Sequence, residues 1–273
     1  MSVPDIALNS GTTIPQLGFG VFKVDPAQTE RIVSDALEVG YRHIDTAKAY
    51  DNEPGVGAAI AASAIPREEL FVTTKLFNSD QGGQSALDAF DLSLAKLGLD
   101  YVDLYLIHWP CPARGLFVES WRSLEQILES GRARAIGVSN FLPHHLQTLL
   151  DETTVVPAVN QIELHPYFQQ REASEFGRSH GVVTEAWSPL GQGTLVDEAG
   201  VQAIADAYGK SLAQVILRWH IQNGNVVIPK SNRRERMAEN FDVFDFELTQ
   251  AEIGIIDALD RGGRLGSDPD VVS

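Results

Sequence analysis

Cysteine is nearly absent. Cys111 is the single one in 273 residues, so no disulfide forms within the chain, and the usual mark of a small secreted scaffold is missing. Positive charge is scarce as well: 21 Lys and Arg stand against 37 Asp and Glu, for a net charge of −16. Such a surface repels nucleic acid and anionic membranes and keeps a protein dissolved. No apolar run approaches the length of a membrane span. Met1 to Leu8 has neither a basic start nor an apolar stretch, so no secretory signal is read there. No Gly-x-Gly-x-x-Gly follows any strand-like run, which counts against an open dinucleotide-binding sheet. No spacing suits a metal, since His144 and His145 are adjacent rather than one helical turn apart. The expectation is a cytoplasmic protein with no metal, nucleic-acid or membrane partner. Nothing demands a second subunit, so a monomer is expected.

What is present is a rhythm. A short apolar strand, a polar loop and an amphipathic helix closing on Gly recur along the chain, as in a parallel sheet. The first helix is read from Thr29, taken as its N-cap, to Val39, with Gly40 as its stop. Strands are read at Leu17–Val21, His43–Asp45, Leu70–Lys75, Val102–His108, Ala133–Ser139, Val159–Glu163, Val182–Trp187 and Val226–Ile228. The run from Val102 is nearly all apolar, as a strand buried on both faces requires. Asn9-Ser10-Gly11 marks a turn inside Ile6–Ile14, read as a small hairpin. Eight strand–helix units in an ordinary globular composition imply a (β/α)8 TIM barrel over residues 1–273, with an N-terminal β-hairpin and extra C-terminal helices.

In that fold the site lies at the C-terminal strand ends. The polar residues there are Asp45 with Tyr50 in the following loop, Lys75, His108, Ser139, Asn140, Gln161, Glu163, Trp187, Ser188, Lys230 and Ser231. Each has a bland explanation taken singly: a cap, a packed loop ring, a solvated amine, a satisfied structural imidazole. Asp45, Tyr50, Lys75 and His108, from three successive strands, converge on one small volume, and convergence at a barrel mouth points to chemistry. A lysine cation beside a phenol is expected to lower the phenol's pKa, with Asp45 holding the lysine charged. A phenol so tuned is a general acid for an oxyanion forming on a carbonyl carbon. None of the four donates electrons, so a hydride has to come from a cofactor. Two other readings stand beside this one: a lyase with Lys75 as a Schiff-base nucleophile, and a protein that binds a dinucleotide without catalysis.

Several runs resemble the aldo-keto reductase family. They are Gly40-Tyr41-Arg42-His43-Ile44-Asp45-Thr46-Ala47 with Tyr50, Thr73-Thr74-Lys75-Leu76, Asp103-Leu104-Tyr105-Leu106-Ile107-His108-Trp109-Pro110, Ile136-Gly137-Val138-Ser139-Asn140-Phe141, Asn160-Gln161-Ile162-Glu163-Leu164-His165-Pro166, and Ile228-Pro229-Lys230-Ser231 with Arg236, Glu239, Asn240 and Phe241. They span most of the chain in the family's order. Trp187-Ser188-Pro189-Leu190-Gly191-Gln192-Gly193 and the opening around Ile14 to Val24 are most similar to the bacterial 2,5-diketo-D-gluconate reductase branch.

The resemblance implies NADPH-dependent reduction of a small carbonyl compound. It implies Asp45, Tyr50, Lys75 and His108 as the catalytic tetrad, with Tyr50 the proton donor. It implies Trp187 as the ring under the nicotinamide, with Ser139, Asn140 and Gln161 on its carboxamide. Ser188, Leu190 and Gly191 match the loop along the pyrophosphate. Lys230, Ser231 and Arg236 match a clamp on the 2′-phosphate, and Glu239 and Asn240 match the adenine contacts. Phe22, Phe77 and Trp109 are expected around the substrate. Phe77 stands where many members carry Trp, and Trp187 where many carry Tyr.

Overall fold

A computed structural model describes residues 3–195 and 198–273. Met1 and Ser2, part of the segment read for a secretory signal, lie outside the described residues.

Strands β1 (Asp5–Ala7) and β2 (Thr13–Pro15) form an antiparallel hairpin, as the turn signal implies. Eight parallel strands follow: β3 (Phe19–Gly20), β4 (His43–Asp45), β5 (Phe71–Leu76), β6 (Val102–Ile107), β7 (Ala133–Ser139), β8 (Val159–Glu163), β9 (Val183–Trp187) and β10 (Val226–Val227). They pair in chain order. A parallel bridge between Leu17 and Val227 closes the ring, with Gly18 N donating to Val227 O at 2.8 Å and Val227 N to Gln16 O at 2.9 Å. Closure leaves the eight-stranded barrel without an open edge.

Helices α1 (Pro26–Val39), α2 (Glu53–Ala62), α3 (Gly83–Leu97), α4 (Phe117–Glu129), α5 (Pro143–Glu152) and α6 (Arg171–Ser179) each cross back between strands. After β9 come α7 (Ala199–Tyr208) and α8 (Leu212–Gln222), and after β10 come α9 (Arg234–Phe241) and α10 (Gln250–Asp257). The extra helices expected toward the C-terminus are therefore there. Every residue of β5 and β6 is buried, which is why those stretches read as unbroken apolar runs. The hairpin plugs the bottom of the barrel: Leu8 and Ile14 pack with Leu104, Leu106, Val159 and Val226.

Two local readings are corrected. The cap of α1 is Asp25, whose carboxylate accepts from Ala27 N; Thr29 lies inside the helix, buried, its hydroxyl donating to Asp25 O. Pro26 at the first helical position sets the start, since its missing N–H costs nothing there. The first barrel strand, read as Leu17–Val21, keeps ladder pairing only at Phe19–Gly20, with Leu17 held by the closing bridge.

Candidate active site

Adjacent strands β4, β5 and β6 carry Asp45, Lys75 and His108 to one end of the barrel, and the short turn after β4 (Lys48–Tyr50) brings Tyr50 over them. Lys75 is wholly buried. Its Nζ donates to both Asp45 oxygens at 2.7 and 2.8 Å and to Thr46 O at 2.9 Å. The Tyr50 hydroxyl lies 3.4 Å from the same nitrogen. The His108 ring stands edge-on to the Tyr50 ring at 5.7 Å between centroids. A buried amine gripped by a carboxylate is an ammonium, not a nucleophile. Burial works against that charge, but Asp45 and the more distant Tyr50 and Glu185 outweigh it and hold the Lys75 pKa above its ordinary value. This argues against Schiff-base chemistry.

The phenol departs from expectation. Burial is the largest influence on Tyr50 and raises its pKa; Lys75 pulls the other way, and Asp45 and Glu185 add to the rise. The net shift is upward. The expectation of a lowered pKa weighed Lys75 with its Asp45 partner but not the burial of the phenol, which outweighs either charge. The result is a phenol that keeps its proton near neutral pH. Burial, reinforced by the Lys75 charge, lowers His108 to about 3, so the imidazole is neutral. Its Nδ1 is buried with no hydrogen-bond partner among the described residues.

Above this group opens a cavity of about 500 Å³. That suits a small organic molecule with part of a cofactor. Phe22, Phe77 and Trp109 line it, with Asp45, Tyr50 and His108. So do Ser139, Asn140, Gln161, Trp187, Ser188, Leu190 and Lys230. Ser139 Oγ donates to Gln161 O at 2.8 Å, Asn140 Nδ2 donates to His108 O at 2.9 Å, and Trp187 Nε1 donates to Asn140 Oδ1 at 2.8 Å. The expected carboxamide-binding groups are thus one connected network. Asn140 and Ser188 both hold a positive φ, of 64° and 50°, as tight turns at strand ends do.

Gly191, Ser231, Arg236, Glu239 and Asn240 do not line that cavity; they lie beyond it, on the loop after β9, the loop after β10 and α9. Ser231 Oγ accepts from Arg233 N at 3.1 Å just before α9. Arg234 is engaged by Asp35 and Glu38. Lys230, Arg233 and Arg236 are exposed and, among the described residues, carry no ion pair. Partial burial and the neighbouring Lys23 charge push the Lys230 pKa down. These cations stand at a helix start on a chain of net charge −16, a local patch of opposite sign to the whole.

Sequence reasoning missed Lys23, which lines the cavity mouth with its Nζ 5.2 Å from the Phe22 ring centroid. Its place directly after Phe22, at the end of the first barrel strand, was the available signal. It also left Glu163 without a role. That carboxylate accepts from Leu265 N at 2.6 Å and Gly266 N at 2.8 Å, pinning the C-terminal tail. Only a glycine fits at 266, because a Cβ there would lie 2.5 Å from the Trp187 indole. The adjacent pair His144 and His145, passed over as metal ligands, meets Asp270 of the same tail, with His144 Nε2 2.9 Å from Asp270 Oδ1. His145 Nδ1 accepts from Leu142 N, which leaves its hydrogen on Nε2, 3.2 Å from Asp270 Oδ1. That tautomer leaves no lone pair on His145 Nε2, and the hydrogen bond to the tail is made by His144. Among the described residues no helix is long and apolar enough to cross a membrane.

Comparison with known proteins bears on the family and the fold. The model of the "Aldo/keto reductase family" matches residues 16–261. An aldo-keto reductase of Mycolicibacterium smegmatis is 55% identical over 266 residues, 97% of either chain. A morphine 6-dehydrogenase of Pseudomonas putida is 52% identical over 280 aligned positions, covering 97% of this chain and 94% of that one. A crystal structure of a Gox0644 mutant in complex with NADPH superposes with a TM-score of 0.96 at 45% identity, covering all of both chains.

Proposed function

This chain belongs to the aldo/keto reductase family, and on that premise we propose that it reduces aldehydes or ketones to alcohols with NADPH as cofactor. The observation that carries the reading is the protonated Tyr50 hydroxyl 3.4 Å from the Lys75 ammonium at the floor of an aromatic-walled cavity.

The residues present fit the cofactor. Trp187 offers a broad ring braced by Asn140, and Ser139, Asn140 and Gln161 offer amide and hydroxyl groups beside it. Ser188, Leu190 and Gly191 would run along the pyrophosphate. Lys230, Ser231 and Arg236 would take the 2′-phosphate, Arg as a planar fork and Lys as a point charge. Glu239 and Asn240 would meet the adenine. The similar structure solved with NADPH supports this choice of nucleotide. When bound, the nicotinamide supplies the hydride for the carbonyl carbon.

The chain's own part is electrostatic and protonic. Phe22, Phe77 and Trp109 exclude water around the substrate. Neutral His108 and the Tyr50 hydroxyl face the carbonyl oxygen, and Tyr50 gives its proton as negative charge grows there. Lys75, held by Asp45, stabilises the phenolate left behind. Small dicarbonyl compounds such as 2,5-diketo-D-gluconate fit the cavity's size. The similarity to a morphine 6-dehydrogenase extends the range to ring alcohols and ketones, with the reaction running in either direction.

The test is NADPH oxidation against a panel of aldehydes, ketones and dicarbonyls, ranked by kcat/KM, with Tyr50→Phe in parallel. The variant is expected to lose about a hundredfold or more in kcat, the scale of general acid catalysis, with the NADPH Kd unchanged. No turnover of any carbonyl by the wild type, with NADPH still bound, would make this a binding protein.

A further inference from the structure

Beneath the tetrad a second carboxyl lies inside the barrel. Glu185 stands two residues before Trp187 on β9, and its side chain is fully buried. Its Oε2 accepts from Gln161 Nε2 at 2.8 Å. The same nitrogen donates to Asp45 Oδ2 at 2.8 Å, so the two hydrogens of one amide serve two carboxyl groups. Among the described residues Glu185 Oε1 has no hydrogen-bond partner, and it lies 3.5 Å from His43 Nε2.

His43 faces the same carboxyl. Its Nδ1 lies 3.4 Å from the Pro15 carbonyl oxygen, which only accepts, so Nδ1 carries the hydrogen. A neutral ring then turns its Nε2 lone pair toward the Thr73 hydroxyl, which can donate to it at 3.3 Å, with Glu185 Oε1 beside it at 3.5 Å. The ring cannot swing away, because Gly18 packs on it so closely that a Cβ would fall 2.5 Å from Nδ1. A carboxylate facing that lone pair is repulsive, and a proton on Glu185 removes the repulsion. Lys75 makes no hydrogen bond to Glu185, its bonds going to Asp45, Thr46 and Tyr50, so its charge offsets that of Glu185 only in part. Burial lowers His43 to about 4. Burial and the Asp45 charge push Glu185 up to about 8, against smaller opposing effects of Gln161 and Lys75. The titratable groups that face Glu185 are His43 and Asp45 from β4, Lys75 from β5 and, beyond them, Tyr50.

We propose that Glu185 is a positioning residue for carbonyl reduction, holding the Gln161 amide on Asp45 as a neutral acid and disarming the site when it ionises. The role rests on the reductase reading above. Ionised, Glu185 places a second negative charge across one amide from Asp45. That charge competes for Lys75 and holds the Tyr50 proton more tightly, so proton delivery to the substrate oxygen slows.

The experiment compares wild type with Glu185→Gln and Glu185→Leu. Glutamine keeps an acceptor for Gln161, offers a donor to His43 and has no proton to lose. In the wild type, kcat for aldehyde reduction is expected to fall as the pH passes about 8. Glu185→Gln is expected to stay within about threefold of wild type at neutral pH and to lack that fall, while Glu185→Leu loses about tenfold at every pH, the worth of an unmade buried hydrogen bond. A readout free of turnover is the infrared carboxylic-acid band of the protein without cofactor, present at neutral pH, lost as the pH passes about 8, and missing in Glu185→Gln. An alkaline fall retained in Glu185→Gln, or a wild type that reduces carbonyls but shows no such band, overturns the inference alone. A wild type that shows the band yet reduces no carbonyl overturns the reductase reading, and the assigned role with it.

Discussion

The indole nitrogen of Trp187 donates to Oδ1 of Asn140 at 2.8 Å, so the ring lining the cavity and the amide beside it are tied to each other. Trp187→Phe keeps a ring and loses this bond. The NADPH Kd is expected to rise between about twofold and tenfold, the range of one net hydrogen bond. Trp187→Ala, which removes the ring as well, should weaken binding further. Titration of the remaining protein fluorescence with NADPH measures both, and an unchanged Kd in both variants would remove Trp187 from the nucleotide site.

Arg236 is exposed and without an ion pair among the described residues, while Arg234 two positions earlier is engaged by Asp35 and Glu38. Arg236→Ala should therefore raise the NADPH Kd by about tenfold to a hundredfold, the scale of a charged hydrogen bond, and leave the NADH constant nearly alone. Arg234→Ala should change neither. Equal shifts for the two nucleotides would refute the 2′-phosphate assignment.

The tail contact is testable by size. Gly266→Val sets a branched side chain where even a Cβ meets the Trp187 ring at 2.5 Å and Glu163 Oε2 at 2.9 Å. The tail must lift, and the Glu163 bonds to Leu265 N and Gly266 N break with it. The variant is expected to stay folded, with stability lowered by about 1–3 kcal/mol and with weaker NADPH binding through the displaced ring. Thermal melting and the nucleotide Kd report the two effects. A variant with wild-type values for both would show the contact to be idle.

Acid should destabilise the fold earlier than carboxylates alone would require. Burial lowers His43 to about 4 and His108 and His220 to about 3; His145 is lowered to about 4, chiefly by burial. The unfolded chain binds protons at these rings below about pH 6.5, and the folded one does not until far lower. Their depressed values thus give stability that is present above pH 6.5 and lost progressively as the pH falls toward 4 and then 3. Glu185 acts in the opposite sense: its raised value gives stability that is full below the ordinary carboxylate range and is lost as the pH rises through about 8. Urea unfolding from pH 5 to pH 9 should give a maximum near neutrality. His220→Gln should flatten the acid side, its amide replacing the bond to Pro189 O, and a slope unchanged in that variant would count against it.

Much of the fold was legible because parallel strands buried on both faces and helices stopped by glycine leave local marks. β7 and β8 match their read limits, and Asp45, Tyr50, Lys75 and His108 were legible because the barrel's order puts successive strand ends side by side. Local marks also misled where two signals competed: Thr29 is a good cap by type, but Asp25 before Pro26 took that place.

The amino-acid order by itself determined the alternation of strands and helices, their sequence around the barrel, and which polar side chains stand at its mouth. Tertiary structure alone decided the charge states there. Gln161 reaches Asp45 across 116 positions, and Gly266 meets Glu163 across 103. A pKa is set by every dipole and charge within a few ångströms and by the water excluded around it. That is why Tyr50 moved up rather than down, and why a buried glutamate in the middle of a strand stayed hidden until the strands were closed into a ring.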